Sequence, residues 1–105
     1  RKELIGWLEE PLEVRRARDE LLAKFIFGHL LAKETNIEQI ERFRQERAER
    51  LEWYHEAEAY LKKDRFKSRK KLLEYLTLRQ GVLGMEARVN WCDEVLTALR
   101  EYRGD

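Results

Sequence analysis

Two residues near the centre of the chain have the spacing of metal ligands. Glu52 and His55 form a Glu-x-x-His pair, which places a carboxylate and an imidazole on the same face of a helix. Carboxylate-bridged metal sites in helical bundles need two such pairs and further glutamates. The other histidine, His29, has Ile26 three residues before it, so the second pair is missing. We therefore predict no metal and no cofactor, and we expect His55 to be a hydrogen-bonded surface residue.

The chain has one cysteine, Cys92, and this is the only candidate for a thiol nucleophile. Its neighbour Trp91 and the apolar residues one turn away predict a buried thiol, whose pKa would be raised and whose reactivity would be low. One cysteine also excludes an internal disulfide and a cysteine-rich zinc site, and it fits a reducing compartment. We predict that Cys92 is a core residue and that the protein is not an enzyme.

Seven lysine and arginine residues and one aromatic residue, Phe66, lie within the ten positions from Lys62 to Lys71. Such a stretch can hold phosphates. It coincides with the predicted tip between two helices, however, where solvation alone explains the charge. The whole chain carries 22 basic and 21 acidic residues, a net charge of +1, which is not typical of a stand-alone nucleic-acid binder. We expect this chain alone to bind DNA only weakly and without sequence preference.

Three tryptophans, four tyrosines and four phenylalanines could line a pocket for a flat ligand. The commoner use of aromatic side chains in small helical domains is as anchors of the core and of interfaces. If an effector pocket exists, we expect Trp7, Phe25 and Trp91 to line it. Nothing in the sequence identifies the effector.

The elements that position these residues follow from composition. A chain of 105 residues with 43% hydrophobic and 41% charged positions makes one small domain, and its single proline and many Leu, Glu, Arg and Lys residues favour helices over sheets. No apolar run is long enough to span a membrane, and the N-terminus lacks the apolar segment of a signal peptide. We expect a cytoplasmic protein without a membrane partner. Because the chain begins without methionine, we also expect it to be part of a longer protein.

Apolar spacing predicts four helices, over residues 2–9, 19–31, 36–64 and 69–102. Pro11 follows the first helix, and a capping box formed by Thr35 and Glu38 is expected to start the third. The residues of the third helix that recur every three or four positions are Ile37, Ile40, Arg44, Arg47, Leu51, Tyr54, Glu58 and Leu61. This spacing is typical of a coiled coil with polar interruptions. The predicted fold is therefore all-α, a long antiparallel helical hairpin with two shorter helices, assembled as a dimer.

The last helix carries two apolar seams. The first seam contains Leu72, Leu76, Leu83, Ala87, Trp91, Ala98 and Tyr102. The second seam contains Tyr75, Leu78, Val82, Met85, Val89, Cys92, Leu96 and Leu99. One partner in a hairpin covers only one seam, and a second copy of the chain is the simplest cover for the other. Gly81 and Gly84 lower helix propensity, so we expect them at close helix approaches.

We therefore expect a homodimer. The predicted interface residues are Leu21, Leu22, Phe25, Leu76, Leu83, Ala87, Trp91 and Ala98.

Two ordered blocks of residues resemble a known family. The first runs from Leu8 to Phe27 and contains Arg18-Asp19-Glu20-Leu21-Leu22 followed by an aromatic-rich helix. The second runs from Leu76 to Val82 and continues with Trp91-Cys92-Asp93-Glu94 and Leu99-Arg100. Together they resemble the C-terminal domain of PadR-like transcriptional regulators, also called the virulence-activator alpha C-terminal domain.

The resemblance implies that residues 1–105 are a C-terminal dimerisation domain and that a winged helix-turn-helix domain lies upstream. In this interpretation DNA is bound by that upstream domain and not by this chain, and the dimer holds two winged-helix domains at the spacing of operator half-sites. Two alternatives stay open. The chain could be a small-molecule effector-sensing domain at the dimer interface, or a free-standing coiled-coil adaptor without a DNA-binding domain.

Overall fold

The computed structural model describes residues 2–9, 20–63 and 65–104, and all the regular structure in these ranges is helical. Helix α1 spans Lys2–Glu9 and helix α2 spans Glu20–Ile26, which is followed by a short 3-10 helix at Gly28–Leu30. Two long helices complete the fold, α3 at Lys33–Lys62 and α4 at Arg69–Glu101. The predicted all-α fold is confirmed, including the long hairpin of α3 and α4 and the two shorter helices.

Helices α3 and α4 pack against each other along their length. Every member of the repeating series predicted for α3 is buried or half-buried, including the polar members Arg44, Arg47 and Glu58. On α4 the same is true of every residue of the second seam, from Tyr75 to Leu99. Antiparallel pairing follows because the connection between the two helices is only six residues long, and so short a connection brings the second helix back alongside the first.

The apolar core lies towards the end of the hairpin away from the tip. Ile40 of α3 and Cys92 and Leu96 of α4 form a buried cluster there. Partly buried residues from α2, α3 and α4 surround this cluster; they are Leu21, Phe25, Ile37, Phe43, Trp91 and Val95. The prediction that Cys92 is a core residue is confirmed. Burial raises the pKa of its thiol, which is consistent with a structural role.

The chain between α2 and α3 differs from the prediction of one helix over 19–31. Helix α2 ends at Ile26, and Asp19 lies outside the described residues. The bend that follows is held by Asn36, whose Nδ2 donates to the Gly28 carbonyl at 3.2 Å. A Cβ at Gly28 would lie 3.0 Å from that nitrogen, so glycine permits the close approach. A buried polar contact therefore ties this corner to α3.

The predicted capping box at the start of α3 is wrong. The helix begins at Lys33, and its N-cap is Ala32, which has no side chain able to accept a hydrogen bond. The backbone amides of Thr35 and Asn36 both donate to the Ala32 carbonyl, so Thr35 is already inside the first turn. The bend at Gly28 and Asn36 sets where the helix starts, and this tertiary contact outweighs the local capping preference.

The tip has unusual backbone geometry. Arg65 and Phe66 both adopt left-handed conformations, with φ of 51° and 55°. The Phe66 ring lies on Tyr75 with 4.8 Å between ring centroids, and the Lys62 ammonium lies 5.6 Å from the same tyrosine ring. Ser68 caps α4 by accepting from the backbone amide of Lys71 at 3.2 Å. These contacts hold the turn that the sequence predicted at this point.

Candidate functional site: the uncovered face of the hairpin

The first seam of α4 points away from α3. Six of its seven residues are exposed, and only Trp91 is half-buried. The contrast is sharpest at two neighbours in sequence, since Val82 is 0% exposed while Leu83 is 50% exposed. The exposed residues of this seam, which we call the outer seam, are Leu72, Leu76, Leu83, Ala87, Ala98 and Tyr102. A solvent-facing helix surface would ordinarily be polar, so the outer seam is the strongest candidate interface on the hairpin.

Helix α2 covers one end of this surface. The Phe25 ring meets Trp91 edge to face, with 5.8 Å between centroids. Phe25 and Leu21 are half-buried against the core cluster, whereas Leu22 stays 50% exposed. The structure thus places Leu21 and Phe25 against the chain's own hairpin, and Leu22 and Trp91 at the border of the outer seam. Whether a second copy contacts these residues stays a prediction.

Further apolar side chains near α2 are exposed. Ile26, Phe27 and Leu30 are each more than 60% exposed, and Leu31 is 49% exposed. Helix α1 also presents Leu4, Ile5 and Leu8 to solvent. Helix α2 and the 3-10 helix therefore extend the apolar surface beyond α4.

A shallow depression of about 400 Å³ lies where α2 meets the outer seam. Its lining residues are Leu22, Phe43, Gly84, Ala87, Arg88 and Trp91. Phe25 lines a different depression, of about 310 Å³, next to Asn36 and Tyr102. The structure thus places Phe25 and Trp91, two of the three predicted pocket residues, in contact with each other. Phe25 lines one depression and Trp91 lines the other. The side chain of Trp7 lies outside the described part of the structure, so its place in a pocket stays a prediction.

The two glycines of α4 have different surroundings. A Cβ at Gly81 would lie 3.2 Å from the Tyr54 ring of α3, so Gly81 sits at a close approach within the hairpin. A Cβ at Gly84 would meet only the Arg88 guanidinium of its own helix, at 3.0 Å. Gly84 faces outward within this chain. A close approach there therefore requires a second molecule, and it stays a prediction.

A row of ion pairs along one side of the hairpin was not predicted. The residues that α4 contributes are spaced seven apart, at Arg79, Glu86, Asp93 and Arg100. Their partners on α3, in the same order, are Glu58, His55, Arg44 and Glu41. The heptad spacing of the charged residues on α4, next to the buried seam, is the signal that could have found them. Because Arg79, Asp93 and Arg100 each meet an opposite charge of α3 in this alignment, the row favours the observed antiparallel register.

Two pairs define the row most clearly. The Arg79 guanidinium donates to Glu58 at 2.9 Å, and this hydrogen bond holds the pKa of the Glu58 carboxyl below its usual value. Arg44 donates to Asp93 at 2.5 Å, which raises the pKa of Arg44. Arg47 lies next to this row with its guanidinium 4.3 Å from the Phe43 ring centroid. The polar members of the α3 series therefore have specific contacts and are not simply gaps in a seam.

His55, one member of the candidate metal pair, takes part in the same row. His55 Nε2 lies 3.5 Å from Glu86 of α4, and both side chains are partly exposed. Within the described residues, no three His, Cys, Asp or Glu side chains are grouped to hold a metal ion. None of the helices in the described ranges is long and apolar enough to cross a membrane. His55 is exposed, as expected of a surface residue, while the hydrogen bond expected for it stays a prediction.

Comparison with known proteins identifies the family. The profile described as "Virulence activator alpha C-term" matches residues 17–100, most of the chain. The chain belongs to this family. Among solved structures, the Vibrio cholerae virulence activator AphA is similar, with 29% sequence identity and a TM-score of 0.81. The match covers 94% of this chain and 59% of the AphA chain, so this chain spans about three-fifths of the length of that relative. No curated protein sequence matches the chain significantly.

Proposed function

We propose that this virulence activator alpha C-terminal domain is the dimerisation domain of a PadR-like, DNA-binding transcription regulator. The outer seam of α4 carries the proposal. It presents apolar residues along most of a 33-residue helix, and α3 already covers the opposite face. The similarity to a virulence activator supports the same role. In this proposal the chain is regulatory and not catalytic, and it acts where the regulator meets DNA, in the cytoplasm.

The exposed area of the chain supports a partner of its own size. The chain exposes 9519 Å², whereas a compact monomer of 12.8 kDa exposes about 6,300 Å². Its radius of gyration is 19.0 Å, against about 13 Å for a compact domain of this length. The excess area is roughly 3,000 Å² per chain, so each copy exposes enough extra surface to supply its half of the about 2,000 to 5,000 Å² that permanent dimers bury in total. A two-fold contact would use the outer seam of both copies.

Dimerisation would give the domain its regulatory effect. A winged-helix domain contacts one half-site, and two such domains held at a fixed separation can reach successive major grooves. The domain proposed here would set that separation. Sequence recognition would remain with the winged-helix domains, since neither the fold nor the +1 net charge of this chain suggests a surface that reads bases.

The mass of the chain in solution tests the proposal. Analytical ultracentrifugation of the 105-residue chain at micromolar concentration should give about twice 12.8 kDa. Leu83→Asp should shift the mass to that of the monomer while keeping the helical circular dichroism signal. Ala59→Asp adds the same charge at an exposed position of α3 outside the outer seam and should leave the dimer intact. A monomeric parent chain would refute the proposal.

Effector sensing is a second candidate, and the depression beside Trp91 favours it. Its lining combines apolar residues with Arg88, a combination that suits a flat anionic molecule. The probe 1-anilinonaphthalene-8-sulfonate should then bind with one saturable affinity per chain, and Arg88→Gln should weaken that binding several-fold. Unsaturable binding that Arg88→Gln does not change would instead indicate general adsorption to the apolar surface.

A further inference from the structure

We propose that the basic tip of the hairpin contacts the phosphate backbone of duplex DNA without reading its sequence. This inference rests on the proposed function only for the presence of DNA, and it assigns a second DNA-contacting surface to the regulator. The tip comprises residues 62–71. Its basic residues are Lys62, Lys63, Arg65, Lys67, Arg69, Lys70 and Lys71, and all seven are exposed.

Charge in this chain is segregated towards the tip. Seven of the 22 basic residues lie in these ten positions, against one of the 21 acidic residues. The remaining 95 residues therefore carry more acidic than basic side chains, although the chain as a whole is nearly neutral. Solvation of a surface does not require such segregation, because mixed charges solvate a surface equally well.

Few of the tip cations make contacts within the described part of the fold. Of the seven, only Lys62 has an ion-pair partner among the described residues, namely Glu58 at 3.7 Å. That carboxylate also accepts from Arg79 at 2.9 Å, so it is already satisfied without the lysine. The exposed ammonium and guanidinium groups of the other six are available to an anion from outside the chain.

The position of these cations is unfavourable for the helix that carries them. Arg69, Lys70 and Lys71 occupy the first turn of α4, which has no acidic residue. The N-terminal end of a helix is electropositive, so cations there weaken the helix and carboxylates would strengthen it. Ser68 already supplies the cap. Three cations placed against the helix dipole indicate a role other than the stability of the fold.

The tip presents its charges on an ordered turn. Arg65 and Phe66 hold left-handed backbone conformations that residues with a Cβ rarely adopt. The packing of Phe66 on Tyr75 and of Lys62 over the same ring compensates for that strain. The turn thereby directs cations outward from both helix ends, and little ordering is needed when an anion binds.

The chemistry of the tip favours nucleic acid over a protein or a membrane. Protein interfaces depend on buried aromatic or apolar anchors, and membrane surfaces are held by inserted apolar residues together with cations. Phe66 is the one apolar residue of 62–71, and it is half-buried against Tyr75. A DNA backbone, by contrast, needs only exposed cations spaced along a polyanion.

Fluorescence anisotropy with a labelled 24-base-pair duplex of scrambled sequence tests this inference, using the 105-residue chain between 20 and 200 mM KCl. The tip variant combines Lys67→Gln, Arg69→Gln, Lys70→Gln and Lys71→Gln. The control variant combines Lys2→Gln, Arg42→Gln, Arg50→Gln and Arg103→Gln, which removes the same charge from exposed positions elsewhere.

The parent chain should bind with an affinity that falls steeply as salt rises. The tip variant should lose at least about tenfold in affinity at 50 mM KCl, and the magnitude of the slope of log K against log salt should fall by about 3.6, as expected for four lost phosphate contacts. The control variant should change by less than about threefold, since it keeps the clustered contacts. Equal losses in both variants, or no binding by the parent, would overturn the inference.

Two further binding measurements identify which class of polyanion the tip prefers. Vesicles of phosphatidylcholine with 30% phosphatidylserine and a polyglutamate peptide should each bind more weakly than the duplex at equal charge concentration. Stronger, tip-dependent binding to either one would overturn the assignment to DNA. The mass of the tip variant is measured in parallel and should equal that of the parent chain. A monomeric parent that still shows tip-dependent duplex binding would refute the proposed dimer and leave this inference standing.

Discussion

The two sides of α4 carry similar residues and have different surroundings. The side facing α3 contains Val82, Val89, Cys92 and Leu96, all buried. The opposite side is nearly as apolar, yet the chain leaves most of it in water. Amphipathic pattern alone therefore does not say what a helix face contacts. One helix can thus bury one apolar face in the core of its own chain and leave a second apolar face exposed.

Val82→Asp should have the largest effect and would test the buried side. Val82 is fully buried, so the substitution places an unpaired carboxylate in the core and should cost several kcal/mol, enough to unfold a domain of this size. Urea unfolding followed by circular dichroism measures the loss. The same substitution at the next residue, Leu83→Asp, should keep the helices. If both variants unfold alike, the two sides of α4 do not differ as described.

Trp91→Ala should have the next largest effect, because Trp91 belongs to both sides. It packs on Phe25 and on the core cluster, and it borders the outer seam. Removal of a core tryptophan costs about 3 to 5 kcal/mol, and a half-buried one should lie near the lower limit. The proposed dimer should dissociate at least about tenfold more readily. An unchanged dimer dissociation constant in ultracentrifugation would show that Trp91 does not anchor the proposed interface.

Gly84→Ala and Gly81→Ala test the two sides of α4 by adding one Cβ atom to each. Alanine at Gly84 meets only the movable Arg88 side chain, so it should raise the free energy of unfolding of the single chain by up to about 1 kcal/mol. Alanine at Gly81 meets the Tyr54 ring at 3.2 Å and should lose most of that gain. If a second copy approaches Gly84 closely, Gly84→Ala should also weaken the dimer. A stabilised chain with an unchanged dimer would show that no close approach occurs there.

The smallest effect concerns the ion-pair row. The Glu58 pKa is lowered in the folded chain by the hydrogen bond from Arg79, so the carboxylate stabilises the fold above the ordinary pKa of glutamate. That contribution should disappear as the pH falls through the lowered folded value. Glu58→Gln should reduce Tm by roughly 2 to 4 °C at pH 7 and less at pH 3. An equal reduction at both pH values would assign the effect to packing and not to charge.

Sequence patterns predicted the larger features well for identifiable reasons. The α3 series from Ile37 to Leu61 and both α4 seams repeat over many turns, so single polar members such as Arg44 do not obscure the pattern. Ser68 and the tip were predictable because the apolar spacing stops there. The start of α3 was not, because Thr35 and Glu38 make a good local cap while the contact between Gly28 and Asn36 joins residues eight positions apart.

Some features of the candidate site could also be predicted from the sequence, and others could not. The resemblance to the virulence activator alpha C-terminal family rested on short blocks of residues, and the family match confirmed it. The pairing of Arg79 with Glu58 or of Arg44 with Asp93 was not predicted, since each depends on the alignment of two helices whose contacting residues lie 21 and 49 positions apart. The first seam of α4 was recognisable as apolar from sequence alone and supplied five of the predicted interface residues, but the sequence left open which seam α3 would cover.

By itself, the sequence determined the helices, the two seams of α4 and the charge of the tip, because these depend on side chains close together along the chain. Only the tertiary structure decided which seam is buried, where α3 begins and which charges meet. These three features depend on how segments that are far apart in the sequence pack against each other. Helix α3 packs on one seam and α2 reaches only the end of the other, so most of the outer seam stays exposed.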